Sequence, residues 1–305
     1  MTTLKTFSFE WLSGCSGCEV AFADLHENLP TVLAEISLVR FPILMDIKEY
    51  PCADVGVITG SIRTEHDREA AHKMRNSCDI IVALGTCPVY GGPHAGYQIN
   101  PDDMLRHAFY NNPTTITKNA PKNIPELLEN RTLDTEIKVD AYLPGCPPHP
   151  RMIIEGLRTL IDPNFRPKFG QHNICFSCPR KMEETQISAI RRNFDGIPNP
   201  NLCFLSQGYI CLGSVTIDRC LAPCPKAGIP CFSCSGPSLP VLLEPQKDMR
   251  VLVAERIAQL TNISVTAIIA ELIRNEKTYN LFVNGSAMLR TKPTARIAPI
   301  IQENR

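Results

Sequence analysis

The sequence predicts an α/β protein in which a doubly wound parallel sheet is followed by an irregular, cysteine-rich second domain with a partly helical C-terminal extension. Three observations predict this. Over residues 1–165, short apolar runs alternate with helical patterns, as βαβ units of a parallel sheet require. Eight of the 14 cysteines then crowd into residues 175–234, where hydrophobic periodicity is weak. Helical spacing returns after residue 241. The expected boundaries are 1–165, 166–240 and 241–305.

The elements follow in order. Residues 6–12 read as a strand ending at the turn Ser13-Gly14-Cys15-Ser16-Gly17-Cys18. A helical pattern covers 19–28, and Pro30 is expected to stop it. Residues 36–40 and 54–59 read as strands, and 65–76 as a charged amphipathic helix. The run CDIIVAL at 78–84 is the clearest central strand and ends on Gly85-Thr86-Cys87-Pro88. A last strand at 138–143 ends on Pro144-Gly145-Cys146-Pro147-Pro148, and 150–161 is helical. Further helices are expected at 181–194, 247–260 and 264–275. Apolar residues are scarce in 166–240, so bound metal is expected to stabilise that segment.

Composition narrows the function. The 31 basic and 31 acidic side chains cancel, which argues against a nucleic-acid binder. No apolar run reaches the ~18 residues of a membrane span. Residues 1–10 show neither a secretory pattern nor a twin-arginine motif. The expectation is a cytoplasmic protein, where thiols stay reduced and bind metal rather than form disulfides.

Cys15, Cys18, Cys87 and Cys146 each lie just after the carboxyl end of a predicted strand, the edge where open parallel sheets bind ligands. Three distant segments would thus bring four thiols together. Cys87, Cys146, Cys178 and Cys224 are each followed by proline. The pairs Cys175/Cys178 and Cys231/Cys234 fit zinc knuckles, so a zinc-stabilised scaffold or binding module without redox function is one reading. Iron–sulfur clusters also take four cysteines, at long and irregular spacing, and Cys-Pro is frequent among their ligands. Twelve cysteines divide into three quartets, which favours the redox reading. No phosphate loop or dinucleotide fingerprint is visible, so the chain itself is not expected to bind NAD or flavin.

Three motifs in this order, Trp11-Leu12-Ser13-Gly14-Cys15-Ser16-Gly17-Cys18-Glu19, Gly85-Thr86-Cys87-Pro88 and Leu143-Pro144-Gly145-Cys146-Pro147-Pro148, resemble the small, electron-transfer subunit of nickel–iron hydrogenases. The resemblance covers most of residues 5–240. It implies a flavodoxin-like first domain with a proximal 4Fe–4S cluster on Cys15, Cys18, Cys87 and Cys146. The second half departs from the periplasmic uptake enzymes. Counting back over the 24 residues between Cys178 and Cys203 puts Cys175 where that family has a histidine. This implies a distal 4Fe–4S cluster on Cys175, Cys178, Cys203 and Cys211, with His172 a bystander or a hydrogen-bond donor to one of those ligands. Where uptake enzymes have three medial cysteines, Cys220, Cys224, Cys231 and Cys234 offer four, which implies a medial 4Fe–4S cluster.

All-cysteine wiring resembles the cytoplasmic hydrogenases, above all the methyl-viologen-reducing type that partners heterodisulfide reductase. The deazaflavin-reducing and sulfhydrogenase types are also similar, and the first half resembles the small subunit of NAD-linked bidirectional enzymes. A homologous complex I subunit fits less well, having adjacent paired cysteines and no second cysteine domain. The implied function is reversible electron transfer from dihydrogen, oxidised on a nickel–iron large subunit, through three clusters to an acceptor subunit. That acceptor would be a heterodisulfide-reductase-type adaptor, a deazaflavin-binding subunit or a diaphorase. The nickel–iron centre would lie on the partner, leaving this chain no catalytic residue of its own.

Some residues remain open. Ser16 and Glu19 could serve a proton path or donate to cluster sulfur, or simply start a helix. Cys52 and Cys78 are expected to be structural thiols, and His94 and His149 interface polar groups. The tail with Arg290, Lys292, Arg296, Glu303 and Arg305 is either a solvated end or a docking segment.

Overall fold

The computed structural model describes residues 4–95, 100–167, 171–193, 195–279 and 282–283. Strand β1 (Lys5–Trp11) leads to α1 (Gly17–Ala23), α2 (Leu29–Glu35), β2 (Ile36–Arg40) and β3 (Ala53–Thr59). Then come β4 (Ile62–Thr64), α3 (Glu65–Ser77), β5 (Cys78–Leu84), α4 (Thr86–Tyr90), α5 (Gly92–Ala95) and α6 (Pro101–Leu105). The first half closes with β6 (Leu127–Arg131), β7 (Ala141–Leu143) and α7 (Pro150–Ile161). The second half holds α8 (Pro223–Lys226), α9 (Leu239–Leu243), α10 (Met249–Leu260), α11 (Val265–Arg274) and α12 (Glu276–Tyr279).

Five strands pair in the order β2-β1-β3-β5-β7, all parallel. The order reverses between β1 and β3, which opens a crevice at their carboxyl ends. On one face Phe7, Phe9, Val57 and Val82 pack with Phe22 of α1 and with Ile153 and Leu157 of α7. On the other, Ile58, Ile81 and Ala83 meet Ala70, Ala71 and Met74 of α3. Helices on both faces bury the sheet, so its central strands read as continuous apolar runs. The sheet is doubly wound as expected. Strands β4 and β6 form a separate antiparallel pair.

The start of α3 is tied to the turn after β1. Thr64 Oγ1 accepts from the Asp67 N–H at 3.1 Å, and the Asp67 carboxylate accepts from the Thr64 N–H at 2.8 Å, a capping box. That carboxylate also accepts from Ser13 Oγ at 2.8 Å. The helix therefore helps hold the segment that presents Cys15.

Four expectations change. Pro30 opens α2 rather than ending a helix, because the first helical turn needs no N–H from it. The last strand shortens to Ala141–Leu143, since the Asp140 carboxylate accepts the Ile81 N–H at 2.9 Å in place of a ladder bond. No described residue of 181–194 is helical. Its N–H groups bond outward, Lys181 to Asn201 O, Thr185 to Leu260 O and Arg191 to Gly208 O, at 2.8–2.9 Å, and tertiary partners override local propensity. Finally, the cysteine-rich segment has a core. Ile174, Phe204, Leu205, Tyr209 and Leu212 cluster with Val241, Met249, Val253, Ile257, Ile268 and Leu272. Helices C-terminal to the segment supply the apolar surface it lacks.

The tail residues Arg290, Lys292, Arg296, Glu303 and Arg305 lie outside the described residues. Among those described, no helix is long and apolar enough to cross a membrane.

Candidate metal centre

The first quartet assembles at the crevice the sheet opens. Cys15 and Cys18 sit at the start of α1, Cys87 in α4 just after β5, and Cys146 three residues beyond β7. Burial first, then Glu19 and the thiols of Cys87, Cys146 and Cys15, push the Cys18 thiol far above its ordinary range. Burial, with Cys15 next, pushes Cys87 up to about 11. Cys146 is likewise pushed to about 11 by burial, Cys87 and Cys15. Each of these thiols feels others of the same set.

Two glycines make room for the sulfurs. Gly85 has φ +99°, and a Cβ there would lie 2.4 Å from Cys18 Sγ. Gly92 has φ +63°, and its Cβ would lie 2.5 Å from Cys87 Sγ. Both positions demand glycine for backbone conformation and for close approach.

The second half contains two further groups. Cys175, raised to about 12 by burial, also feels Cys211, Cys203 and Cys178. The Cys211 thiol, buried and likewise at about 12, feels Cys203 and Cys178. Cys234 is pushed to about 11 by burial, then by Cys220 and Cys146, with Cys224 a smaller influence. Burial raises Cys231 well above its ordinary range, and its thiol neighbours are Cys211 and Cys234. The Cys231 N–H donates to Cys211 Sγ at 3.3 Å, so the two groups abut there.

Thr86 joins the halves. Its Oγ1 accepts from the Gly145 N–H at 3.0 Å, and its hydroxyl donates to the Cys234 carbonyl. Thr86 lies inside the Gly85-Thr86-Cys87-Pro88 motif, yet nothing in the sequence marked it as a contact to residue 234.

Isolated buried thiols stay protonated, so twelve grouped in this way, of which Cys15 alone is exposed, suit a cationic inorganic core that would ionise them. Among the described residues, no three His, Cys, Asp or Glu side chains converge as a single-ion site. The donor set and the glycine-lined approach to the sulfurs fit iron–sulfur clusters.

Comparison with known proteins bears on the chemistry. A family described as NADH ubiquinone oxidoreductase, 20 Kd subunit, matches residues 15–160. A subunit of the vhu F420-non-reducing hydrogenase of Methanocaldococcus jannaschii is 39% identical over 229 residues, 74% of this chain and 79% of that one. The chain belongs to the hydrogenase small-subunit family. Its fold agrees. A chain of an NAD+-reducing nickel–iron hydrogenase in the H2-reduced state aligns at 27% identity and TM-score 0.51, over 55% of this chain and 96% of the other. The actinobacterial-type nickel–iron hydrogenase of Ralstonia eutropha H16 shares the fold at 17% identity and TM-score 0.50, covering 99% of this chain and 91% of that one.

As a hydrogenase small subunit the chain is part of an oxidoreductase whose active site lies on a partner subunit. Family membership implies iron–sulfur clusters, which sets the zinc-scaffold alternative aside. Glu19 is buried and accepts from the Thr59 hydroxyl, while its second oxygen has no partner among the described residues. Burial raises its pKa. Ser16 precedes α1 in a left-handed conformation without capping it. His149 caps α7, its Nδ1 accepting from the Arg151 N–H at 3.2 Å. Burial and Arg63 lower the pKa of His94. The exposed His172 ring stacks on Phe176 at 4.3 Å. Cys52 is exposed and Cys78 buried at the start of β5.

Proposed function

We propose that this chain carries electrons through three 4Fe–4S clusters between a nickel–iron large subunit and an acceptor subunit, in either direction. The proximal ligands would be Cys15, Cys18, Cys87 and Cys146, the medial ones Cys220, Cys224, Cys231 and Cys234, and the distal ones Cys175, Cys178, Cys203 and Cys211. The observation that carries this reading is that twelve cysteines fall into groups whose members feel one another's charge, with one group at the sheet's switch point and two sharing the Cys211–Cys231 contact. When bound, such clusters supply one-electron chemistry at low potential.

The chain's own contribution is burial and orientation. The 1–165 domain presents the proximal thiols, the 166–240 domain the other eight, and the helices of 241–305 complete the core beneath them. Thr86 fixes the proximal loops against the medial one. A cytoplasmic setting fits the reduced thiols. An adaptor of the heterodisulfide-reductase type, a deazaflavin-binding subunit or a diaphorase would suit as acceptor.

The test is direct. The complex, purified without oxygen, is expected to hold about 12 iron and 12 acid-labile sulfide on this chain, four of each per cluster. Cys146→Ser should abolish hydrogen-dependent dye reduction. Full activity with unchanged iron in that variant refutes the proximal assignment.

A further inference from the structure

Arg180 follows the Cys178-Pro179 pair and is only 9% exposed. Its guanidinium donates from Nε to Pro225 O at 3.1 Å and from Nη1 to Leu202 O at 3.2 Å and to Asn199 O. It lies 4.0 Å above the buried Phe204 ring. Every one of these partners is a carbonyl or an aromatic face. Among the described residues no carboxylate pairs with Arg180, whereas Arg40 and Arg250, the two other arginines described as buried, hold Glu10 and Asp248. A buried cation without a counter-charge is strongly disfavoured, because carbonyl dipoles replace only part of its lost hydration.

The surroundings supply the missing anion. Leu202 precedes Cys203 and Pro225 follows Cys224, so the guanidinium spans the backbone of two groups of thiols. Its field also reaches the Cys203 sulfur. Four thiolates around an iron–sulfur core leave a net negative charge, and that charge is one of the determinants of reduction potential.

We propose that Arg180 is the buried counter-cation of the cluster held by Cys175, Cys178, Cys203 and Cys211, and that it raises that cluster's reduction potential. The inference rests on the ligand assignment proposed above. One electron entering that cluster adds one negative charge and leaves the donor cluster oxidised by one electron, with no proton needed. A fixed positive charge nearby favours the reduced form. Arg180 is thus a positioning and tuning residue. The nearby Arg256, exposed and bonded to Gln259, is screened by water and contributes less.

The experiment compares Arg180→Met, Arg180→Lys and Arg256→Met in the anaerobically purified complex. Iron and sulfide are counted, and the cluster midpoints are read by spectroscopically monitored reductive titration. Arg180→Met should shift the oxidised-to-reduced ratio of one cluster about tenfold toward oxidised at fixed potential, which is about 59 mV for one electron. Arg180→Lys, which keeps the charge, and Arg256→Met should shift it by less than a third of that. Full iron with an unchanged midpoint in Arg180→Met overturns the proposal. If Arg180→Met loses iron, Arg180→Lys decides: full iron with a near-native midpoint supports the counter-cation, whereas iron loss or an equal fall in midpoint overturns it. Failure of the ligand assignment is seen separately, as wild-type protein that lacks the third cluster.

Discussion

Gly85→Ala puts the proposed proximal site, at Cys18, under a calculable load. The backbone at Gly85 has φ 99° and ψ 167°, a region open in practice to glycine alone, and an L-residue held there costs about 1–3 kcal/mol. Its new methyl would stand 2.4 Å from Cys18 Sγ, an overlap of the kind that adds about 1–3 kcal/mol. The sum, about 2–6 kcal/mol, is a large part of the roughly 5–15 kcal/mol that stabilises a typical domain. Geometry is hit harder than stability. To restore an ordinary contact the sulfur must retreat by about 1 Å, whereas metal–ligand distances tolerate about 0.2 Å. The expected result is a folded complex with a lowered thermal midpoint, about four iron and four sulfide fewer per chain, and hydrogen-dependent dye reduction reduced by about 100-fold or more. Wild-type iron together with wild-type dye reduction would refute the reasoning.

Gly156→Ala, the same chemical change in α7, should have the opposite sign. Its Cβ meets only the flexible end of Leu143 at 3.1 Å, beside an apolar cavity of about 160 Å³ into which Leu143 can move; a gain of about 0.5–1 kcal/mol in chemical denaturation is expected, and a loss counts against it. Arg40→Met removes the counter-charge of the Glu10 carboxylate, which is paired with Arg40 at 3.0 Å with both side chains 8% exposed, and leaves it only the Tyr50 hydroxyl and the Trp11 N–H. The cost should be about 3–5 kcal/mol, and a measured loss under about 1 kcal/mol would show that water reaches the pair. Burial, then Arg151, lowers the pKa of His149, so the unfolded chain takes up the proton first as pH falls below about 6.5. Stability should therefore decline as pH drops from about 6.5 through the lower folded pKa; His149→Asn, which caps α7 without titrating, should flatten that decline, and identical pH slopes would sink the idea.

Much of this was readable in the chain because the physics is local. The run at 78–84 is buried on both faces and β-branched at its centre, so its ends matched β5 to the residue. The helical pattern at 150–161 did the same for α7. The Cys15/Cys18, Cys87 and Cys146 loops were found because each follows a strand, and strand ends are a property of short windows. Pro30 misled because proline breaks a helix interior yet suits a first turn, and only the neighbouring elements decide which applies.

What tertiary structure decided involves partners far away in the chain. The 181–194 segment has helical composition, but Leu260, Gly208 and Asn201 offer its backbone better bonds. The cysteine-rich segment looked coreless because its apolar partners lie beyond residue 241. Spacing alone could suggest three quartets of thiols, whereas only the folded chain brings Cys211 against Cys231, Thr86 against Cys234, and Arg180 against the Cys203 and Cys224 loops at once. Local sequence determines strands, helix caps and ligand motifs, because those depend on bonds a few residues long. Which motifs meet, and which buried charge has no carboxylate beside it among the described residues, depends on desolvation in three dimensions.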